Sequence, residues 1–236
     1  MMTLKMSLKI NVSRKKIVEW TLLTLGLILL LIFFIRVVIW EDAYYREKEG
    51  SSREEPISII GTEEEELEEI KPTEQEVTEY VVGPQRPRYL TIKKLGINKA
   101  RILPMGLNSK GELDTPRNIF DVGWYEESEA PGEGGTMVID GHNGGPHVHG
   151  VFKDLPDLIE GDIITVERGD GVIYNYVVVE NESVPLDKAN SYMAMALRSP
   201  EAGKESVTLI SCTGEWSQTQ GTYLSRQFTR AVLAEE

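Results

Sequence analysis

The sequence predicts an all-β fold, a barrel or a sandwich, preceded by one membrane-spanning helix and an acidic linker. After Pro84 the chain consists of short apolar runs separated by Gly, Pro, Asn and Asp, which is typical of a small β domain. Residues 17–35 are almost entirely apolar, and residues 41–80 hold 15 acidic but only 4 basic residues. The three regions therefore differ in composition, and each predicts a different kind of structure.

The apolar stretch near the N-terminus has the composition of a transmembrane helix. Residues 17–35 contain one charge, Glu19, and about 20 apolar residues suffice to span a bilayer. A buried core helix is the alternative, but the stretch has no polar face, and no small-residue cleavage site follows it. Because five Lys/Arg precede it and acidic residues follow, we predict a cytoplasmic basic tail (1–16), a signal-anchor helix (17–40) and an extracytoplasmic remainder.

The acidic region is predicted to be a flexible linker over residues 41–83. Its like charges repel one another, and it has too few large apolar residues to offset the entropy of ordering the chain. The net charge of the whole protein is −13, which argues against binding to nucleic acid. Much of that charge lies in the linker rather than in the predicted extracytoplasmic β domain, residues 84–236.

Seven segments of that domain are predicted to form strands because they are short, apolar and bounded by turn residues. They read "RYLTIKKLGI", "KARILPM", "GTMVIDG", "DIITVERG", "VIYNYVVVE", "SVTLIS" and "RQFTRAVLAE". Helical patterns occur in Ser191–Ser199 and around Phe152–Leu158. The domain contains no internal repeat, phosphate-binding Gly loop or dinucleotide fingerprint, so the strands alone favour a barrel or sandwich.

The only cysteine, Cys212, ends a predicted strand in "SVTLISCTGEW". One cysteine excludes an intramolecular disulfide. His142 also follows a predicted strand, and two strand ends on one rim would bring a thiol and an imidazole together, as thiol catalysis requires. A thiolate needs nearby positive charge and acyl transfer needs an oxyanion donor. Arg226 in the last predicted strand, or Arg230 on the same face, would supply both.

Two other interpretations of these residues stay open at this point. A lone cysteine in a strand is commonly a small buried apolar residue. The clustered histidines His142, His147 and His149 also suggest a zinc site, although no cysteine lies near them to complete it and the glycines between them suggest mobility.

Four segments resemble, in order, the motifs of the sortases, the membrane-anchored cysteine transpeptidases of mainly Gram-positive bacteria. "TLISC" is similar to the TLxTC motif, and "PGEGGTMVIDGHN" resembles the segment that carries the family's catalytic His. "GVFKDLPDLIEGDIITVE" resembles the stretch that follows it. "RYLTIKKLGINKARILPMGLNSKGELDTPRNIFDVGWYEES" resembles the opening strands and the VGWY segment. The resemblance extends from Pro84 to Glu236.

The resemblance implies an eight-stranded sortase-type β-barrel with one or two short helices, and it assigns three catalytic residues. Cys212 matches the nucleophile, His142 the catalytic His and Arg226 the catalytic Arg. Leu224 stands where Arg often occurs in the most similar sortases, but a step of two residues keeps the same strand face. Arg230 is the reserve candidate for this role.

Two further residues beside Cys212 are candidates for substrate binding. Ser211 stands where the family usually has Thr, and it keeps a hydroxyl group for a supporting role. Trp216, four residues after the cysteine, is placed to line a substrate groove, with structural packing as the equal alternative.

The implied function is that of a cysteine transpeptidase or peptidase without metal or other cofactor. It would cleave an LPxTG-like sorting signal of secreted proteins and transfer the acyl group to an amine from a cell-wall precursor or a protein. The sequence ends at "AVLAEE" without a second apolar helix, which favours anchoring of single proteins over pilin polymerisation. The alternative is a membrane-tethered binding or scaffold domain that keeps the barrel without catalysis.

Overall fold

Eight strands close into a barrel, which confirms the predicted architecture. The computed structural model describes residues 67–109 and 111–235. The strands are β1 (Pro87–Ile92), β2 (Ile97–Met105), β3 (Val122–Tyr125), β4 (Thr136–Gly141), β5 (Ile163–Arg168), β6 (Ile173–Pro185), β7 (Ser206–Ser217) and β8 (Thr222–Leu233). Two α-helices, α1 (Glu74–Glu79) and α2 (Leu186–Ala196), and two short 3-10 helices (Lys93–Leu95 and Leu155–Asp157) accompany them.

The predicted cytoplasmic tail, the transmembrane helix and most of the acidic linker lie outside the described residues. Within the described part of the chain, no helix has the length and apolar character needed to cross a membrane.

The order of strands around the barrel brings distant parts of the chain together. It runs β1-β2-β3-β4-β7-β8-β6-β5. Most neighbours are antiparallel, whereas β2–β3 and β4–β7 are parallel. Because β4 and β7 run side by side in the same direction, their C-terminal ends meet at the same rim. His142 follows the last residue of β4, whereas Cys212, predicted to end its strand, lies inside β7, which continues to Ser217.

The strands bury both of their faces where the site forms. Successive side chains point to opposite sides of a sheet, so Leu209 joins the core inside the barrel while Ile210 joins a second apolar cluster on the outside. In that outer cluster, residues of α2 pack against β6, β7 and β8; they are Ala189, Met193 and Ala196. The helix therefore forms one wall beside the outer face of β7 and β8.

The elements differ from the sequence prediction at three places. Helix α2 starts at Leu186, before the predicted Ser191, and Pro185 is its N-cap residue, with a φ of −55° and a ψ of 143°. The four-residue strand β3 was absent from the seven predicted segments, since all four of its residues are buried and show no alternation. Around Phe152–Leu158 only a 3-10 helix forms.

The segment before β1 contacts the barrel. Helix α1 begins with a capping box in which Thr73 and Glu76 bind each other's backbone N–H groups. The Tyr80 hydroxyl donates to the carbonyl of Ile102 at 2.5 Å, and the Tyr89 hydroxyl donates to Val77. Residues 67–83 were predicted from their charge to belong to the flexible linker, but they pack on the barrel. Hydrogen bonds from tyrosine hydroxyls hold them there, and composition alone does not predict such contacts.

Candidate active site

The β7–β8 hairpin places Cys212 and Arg226 directly opposite each other. The two residues are partners in the antiparallel register, as are Ile210 and Phe228 two residues further along. Side chains of opposed residues lie on the same face with Cβ atoms about 5 Å apart. The cysteine and the arginine therefore share the outer face, next to the apolar cluster that α2 covers.

Arg226 is held rigidly although it is charged. Its side chain is only 2% exposed, and one guanidinium nitrogen donates to the carbonyls of Tyr223 at 3.0 Å and Ser225 at 3.1 Å. The other terminal nitrogen donates to the Thr222 hydroxyl at 3.1 Å. These contacts fix the plane of the guanidinium, as electrostatic stabilisation of a reacting group requires.

His142 follows directly after β4 and is oriented by a loop carbonyl. Asp140 is paired with Ile210 in the parallel β4–β7 register, and continuing that register by two residues brings His142 beside Cys212. The imidazole Nε2 donates to the carbonyl of Pro116 at 2.7 Å. Burial lowers the pKa of His142, and the bond to Pro116 partly opposes that effect, so the neutral imidazole is favoured near neutral pH.

Two polar side chains join the end of β4 to β7. The Asn143 amide donates to the carbonyl of Cys212 at 2.7 Å. The hydroxyl of Ser211 donates to the carbonyl of Gly141 at 2.9 Å, and Ser211 is 4% exposed. These contacts give Ser211 a structural role between the strands, and its predicted contact with substrate stays a prediction.

Two groups of the site, the Asn143 amide and the Pro116 carbonyl, were not among the residues predicted from the sequence. Asn143 carried one usable signal, a side-chain amide directly after the candidate catalytic histidine. The carbonyl of Pro116 carried no such signal, because any residue could provide it and the loop lies 26 positions before His142. Only the tertiary fold brings that backbone group to the imidazole.

Opposing charges act on the Cys212 thiol. Burial raises its pKa; the positive charge of Arg226 lowers it, and the Asp140 carboxylate raises it. Asp140 is itself buried, which raises its own pKa well above the ordinary value. One of its oxygens, Oδ1, has no hydrogen-bond partner in the described part of the chain. The thiol form of Cys212 therefore predominates in the resting site, and Arg226 is the group that favours the thiolate.

Trp216 lies on the surface beyond Cys212. It is 52% exposed and contacts Tyr223, its partner across the hairpin, edge to face with ring centroids 5.2 Å apart. Gly214, with a φ of +84°, lies between Thr213 and Trp216 where the register shifts by a β-bulge. The exposed Trp216 and the half-buried Tyr223 thus lie on the same hairpin as the thiol, and the predicted role of Trp216 in lining a substrate groove stays a prediction.

The three histidines do not form a metal site. His147 and His149 are exposed on the loop after β4, whereas the ring of His142 is occupied by Pro116. Among residues 67–109 and 111–235, no group of three or more His, Cys, Asp or Glu side chains is arranged to hold a metal ion. The zinc interpretation thus has no geometric support there.

Arg230, the reserve candidate, is engaged elsewhere. It pairs with Thr208, four residues from Cys212 along β7. Its guanidinium donates to Glu180 at 2.5 Å and to the carbonyls of Arg198 and Met195 at 2.7 and 3.3 Å. These bonds fasten the C-terminal end of α2 and the residues after it to the barrel, which is a structural role.

Replacing Arg230 with alanine is expected to destabilise the fold by about 2–4 kcal/mol, because the side chain is 3% exposed and buried acceptors would lose their donor. Thermal and urea unfolding measure this loss. The rate per titrated Cys212 thiol should stay near that of the wild type, since the guanidinium does not lie at the thiol. A loss of rate per thiol larger than the loss caused by Arg226→Ala would reverse the two roles.

Comparisons with known proteins identify similar domains. A sortase-domain family model matches residues 90–234. Sortase C of Streptococcus pneumoniae aligns at a TM-score of 0.50 with 20% identity, covering 76% of this chain and 79% of that chain. Sortase A of Corynebacterium diphtheriae aligns at 0.47 with 24% identity, covering 64% and 62%. Sortase C of Clostridium perfringens SM101 aligns at 0.44 with 19% identity, covering 66% and 73%.

A search of curated protein sequences gives no significant match. The family model nevertheless spans more than half of the chain, and it covers β4, β7 and β8, which carry the thiol, the imidazole and the guanidinium described above. The chain belongs to the sortase family of cysteine transpeptidases.

Proposed function

We propose that this sortase cleaves an LPxTG-like sorting signal in secreted proteins and joins the new C-terminus to an amine. The observation that carries the proposal is the cross-strand pairing of Cys212 with Arg226, at the rim where β4 delivers His142. A thiol, a fixed guanidinium and an imidazole are the groups that acyl transfer through a thioester needs.

In the first half-reaction the Cys212 sulfur attacks the carbonyl carbon of the scissile peptide bond. The carbonyl oxygen becomes negatively charged, and Arg226 stabilises it. Because Nε2 of His142 donates to Pro116, its other ring nitrogen, Nδ1, is the one that exchanges protons. Nδ1 takes the proton of the Cys212 thiol as the sulfur attacks, and gives it to the departing amine as the C–N bond breaks, which leaves a thioester on Cys212 and a neutral imidazole.

In the second half-reaction an amine from a cell-wall precursor or another protein attacks the thioester. His142 accepts the proton of the incoming amine at Nδ1, the C–S bond breaks, and an amide forms while the thiol is restored. Water in place of the amine gives hydrolysis, the peptidase activity. Trp216 and Tyr223 are proposed to contact the substrate segment beside the scissile bond.

The predicted position of the enzyme fits this reaction. A signal-anchor helix over residues 17–40, with its N-terminus in the cytoplasm, would hold the catalytic domain at the outer surface of the membrane. Secreted substrates that keep a membrane-held C-terminal segment, and lipid-linked amine acceptors, would meet the enzyme there. The acidic segment before the domain would provide lateral reach.

The test is a transpeptidation assay with the full-length protein in detergent micelles. A fluorescent peptide containing LPxTG and a triglycine amine are incubated with the enzyme, and mass spectrometry detects the cleaved peptide, the ligated product and the thioester on Cys212. Ligated product is expected to increase with amine concentration at the expense of hydrolysis. Peptide binding without product or thioester, over a panel of sorting motifs and amines, would support the scaffold alternative and overturn the proposal.

A further inference from the structure

The chain directly before the barrel is bonded to the two loops that support the candidate catalytic residues. Glu68 exchanges backbone hydrogen bonds with the loop before β3, donating to Arg117 at 2.9 Å and accepting from Ile119 at 3.1 Å. The Asn118 side chain donates to the carbonyl of Ile70 at 2.9 Å. Residues 68–70 thus lie along the loop whose Pro116 carbonyl binds His142, joined to it by an isolated parallel β-bridge between Glu68 and Asn118.

The next contact joins Glu69 to the loop after β4. One carboxylate oxygen of Glu69 accepts from the backbone N–H groups of His147 at 2.8 Å and Val148 at 3.3 Å. The approach is so close that a Cβ on Gly145 would lie 2.2 Å from the same oxygen. Glycine at this position therefore leaves room for the carboxylate, and the carboxylate in turn satisfies two backbone donors of the loop.

Bonds inside the loop lead from Glu69 to the nucleophile. Gly145 donates to the carbonyl of Val148 at 2.9 Å, and Gly150 donates to the carbonyl of Asn143 at 2.8 Å. The side chain of Asn143 donates to the carbonyl of Cys212. The loop that Glu69 holds is thus the loop that positions Asn143 against the nucleophile strand.

We infer that Glu69 is a positioning residue of the active site, which acts through Asn143 on Cys212. The inference rests on the proposed function, because it assigns Cys212 as the nucleophile. The loop after β4, "HNGGPHVHG", contains three glycines, so it has little conformational preference of its own. Glu69, in the segment that precedes the barrel, supplies the missing constraint.

Variants of Glu69 separate this role from charge and from general stability. Glu69→Ala removes the acceptor and is expected to lower kcat roughly three- to ten-fold with little change in KM, as for other contacts that position a site from a distance. Glu69→Gln keeps an acceptor oxygen and should restore most of the rate. Glu160→Ala, a matched loss of one exposed carboxylate in the turn before β5, should leave kcat unchanged.

Rates are measured with the full-length protein in detergent micelles and expressed per Cys212 thiol titrated, so that unfolded protein does not count. Asn143→Ala is combined with Glu69→Ala in a double-mutant cycle. The double variant should be no slower than Asn143→Ala alone, because both changes break the same connection. Full additivity of the two effects, or an unchanged kcat in Glu69→Ala, would overturn the inference.

Hydrogen exchange provides a readout that does not depend on any substrate. Glu69→Ala should speed exchange at the amides of Gly145 and Gly150, whose bonds lie within the loop, and Glu69→Gln should not. If the wild type cleaves no peptide, the proposed function fails. The difference in exchange between Glu69→Ala and Glu69→Gln would still test whether Glu69 holds the loop after β4. Equal exchange in all three proteins would overturn the positioning role even if the enzyme were active.

Discussion

Arg226→Ala is expected to lower kcat/KM by roughly 100- to 1000-fold, the usual consequence of removing a fixed donor from an oxyanion site. The guanidinium lies opposite Cys212 across the hairpin, and its orientation is set by Tyr223, Ser225 and Thr222. Alanine removes the proposed stabilisation of the tetrahedral intermediate. It also removes the positive charge that lowers the pKa of the thiol, so two contributions are lost together.

Two measurements distinguish those contributions. The pH dependence of Cys212 alkylation by iodoacetamide reports the thiol alone, and its midpoint should move to higher pH in Arg226→Ala. Arg226→Lys keeps the charge but not the planar fork of donors, so it should preserve the alkylation profile better than the rate. A rate in Arg226→Ala close to that of the wild type would remove Arg226 from the mechanism.

Arg230→Ala is the matched control for this prediction, because it removes a second buried arginine from the same strand. Its expected loss is in stability, since Arg230 binds Glu180 and the carbonyl of Arg198. The two arginines have different partners on β7: Cys212 lies opposite Arg226, and Thr208 lies opposite Arg230. Because Arg226 and Arg230 are four residues apart, the strand pattern places them on the same face. Only the register of β8 against β7 shows which of them lies opposite Cys212.

The sequence predicts the local features of this fold well and its long-range pairings poorly. Strands with alternating or β-branched residues, such as β5 and β6, carry their own signal. Strand β3 is four residues long and buried throughout, so no alternation marks it, and the resemblance to sortases was needed to include it. The parallel pairing of β4 with β7 joins segments 70 residues apart, and nothing local specifies it.

The same distinction applies to the site. Cys212, His142 and Arg226 have chemically distinctive side chains and matched family motifs, so the sequence could single them out. Pro116 takes part through a backbone carbonyl, for which residue type carries no information. Glu69 belongs to a run of glutamates whose composition predicts a solvated linker. Nothing in the local sequence distinguishes it from the other glutamates, and only its contact with the loop after β4 in the folded chain shows its role.

Cys212→Ala is expected to abolish both cleavage and ligation, with a loss of at least about 10⁴-fold, because no other group in the proposed reaction can form the thioester. The change is small in volume and the residue is only partly buried, so the thermal unfolding midpoint should stay close to that of the wild type. Mass spectrometry should show no acyl adduct on this variant. Ligation that continues unchanged would exclude Cys212 as the nucleophile.

The wild-type pH profile supplies the complementary test of the thiol and the imidazole. The reactive state, a thiolate with a protonated His142, carries the same number of protons as the resting thiol and neutral imidazole. At low pH the thiol–imidazole pair binds a second proton, and at high pH it loses its remaining proton. Both forms lack the reactive state, so the pH profile of kcat/KM should be bell-shaped. Burial lowers the pKa of His142 below its ordinary 6.5 and raises that of Cys212 above its ordinary 9.0. The acidic limb of the profile should therefore lie below pH 6.5 and the basic limb above pH 9.0.

Removing the positive charge of Arg226 and removing the negative charge of Asp140 should shift the basic limb of the kcat/KM profile in opposite directions. Arg226→Ala removes a charge that lowers the pKa of Cys212, so the basic limb should move to higher pH. Asp140→Asn removes a charge that raises it, so the basic limb should move to lower pH, while the amide keeps nearly the shape that fits against Gly123. Stopped-flow rates from pH 5 to 11 would measure both shifts. A basic limb that moves in the same direction in both variants would show that it does not report ionisation of Cys212.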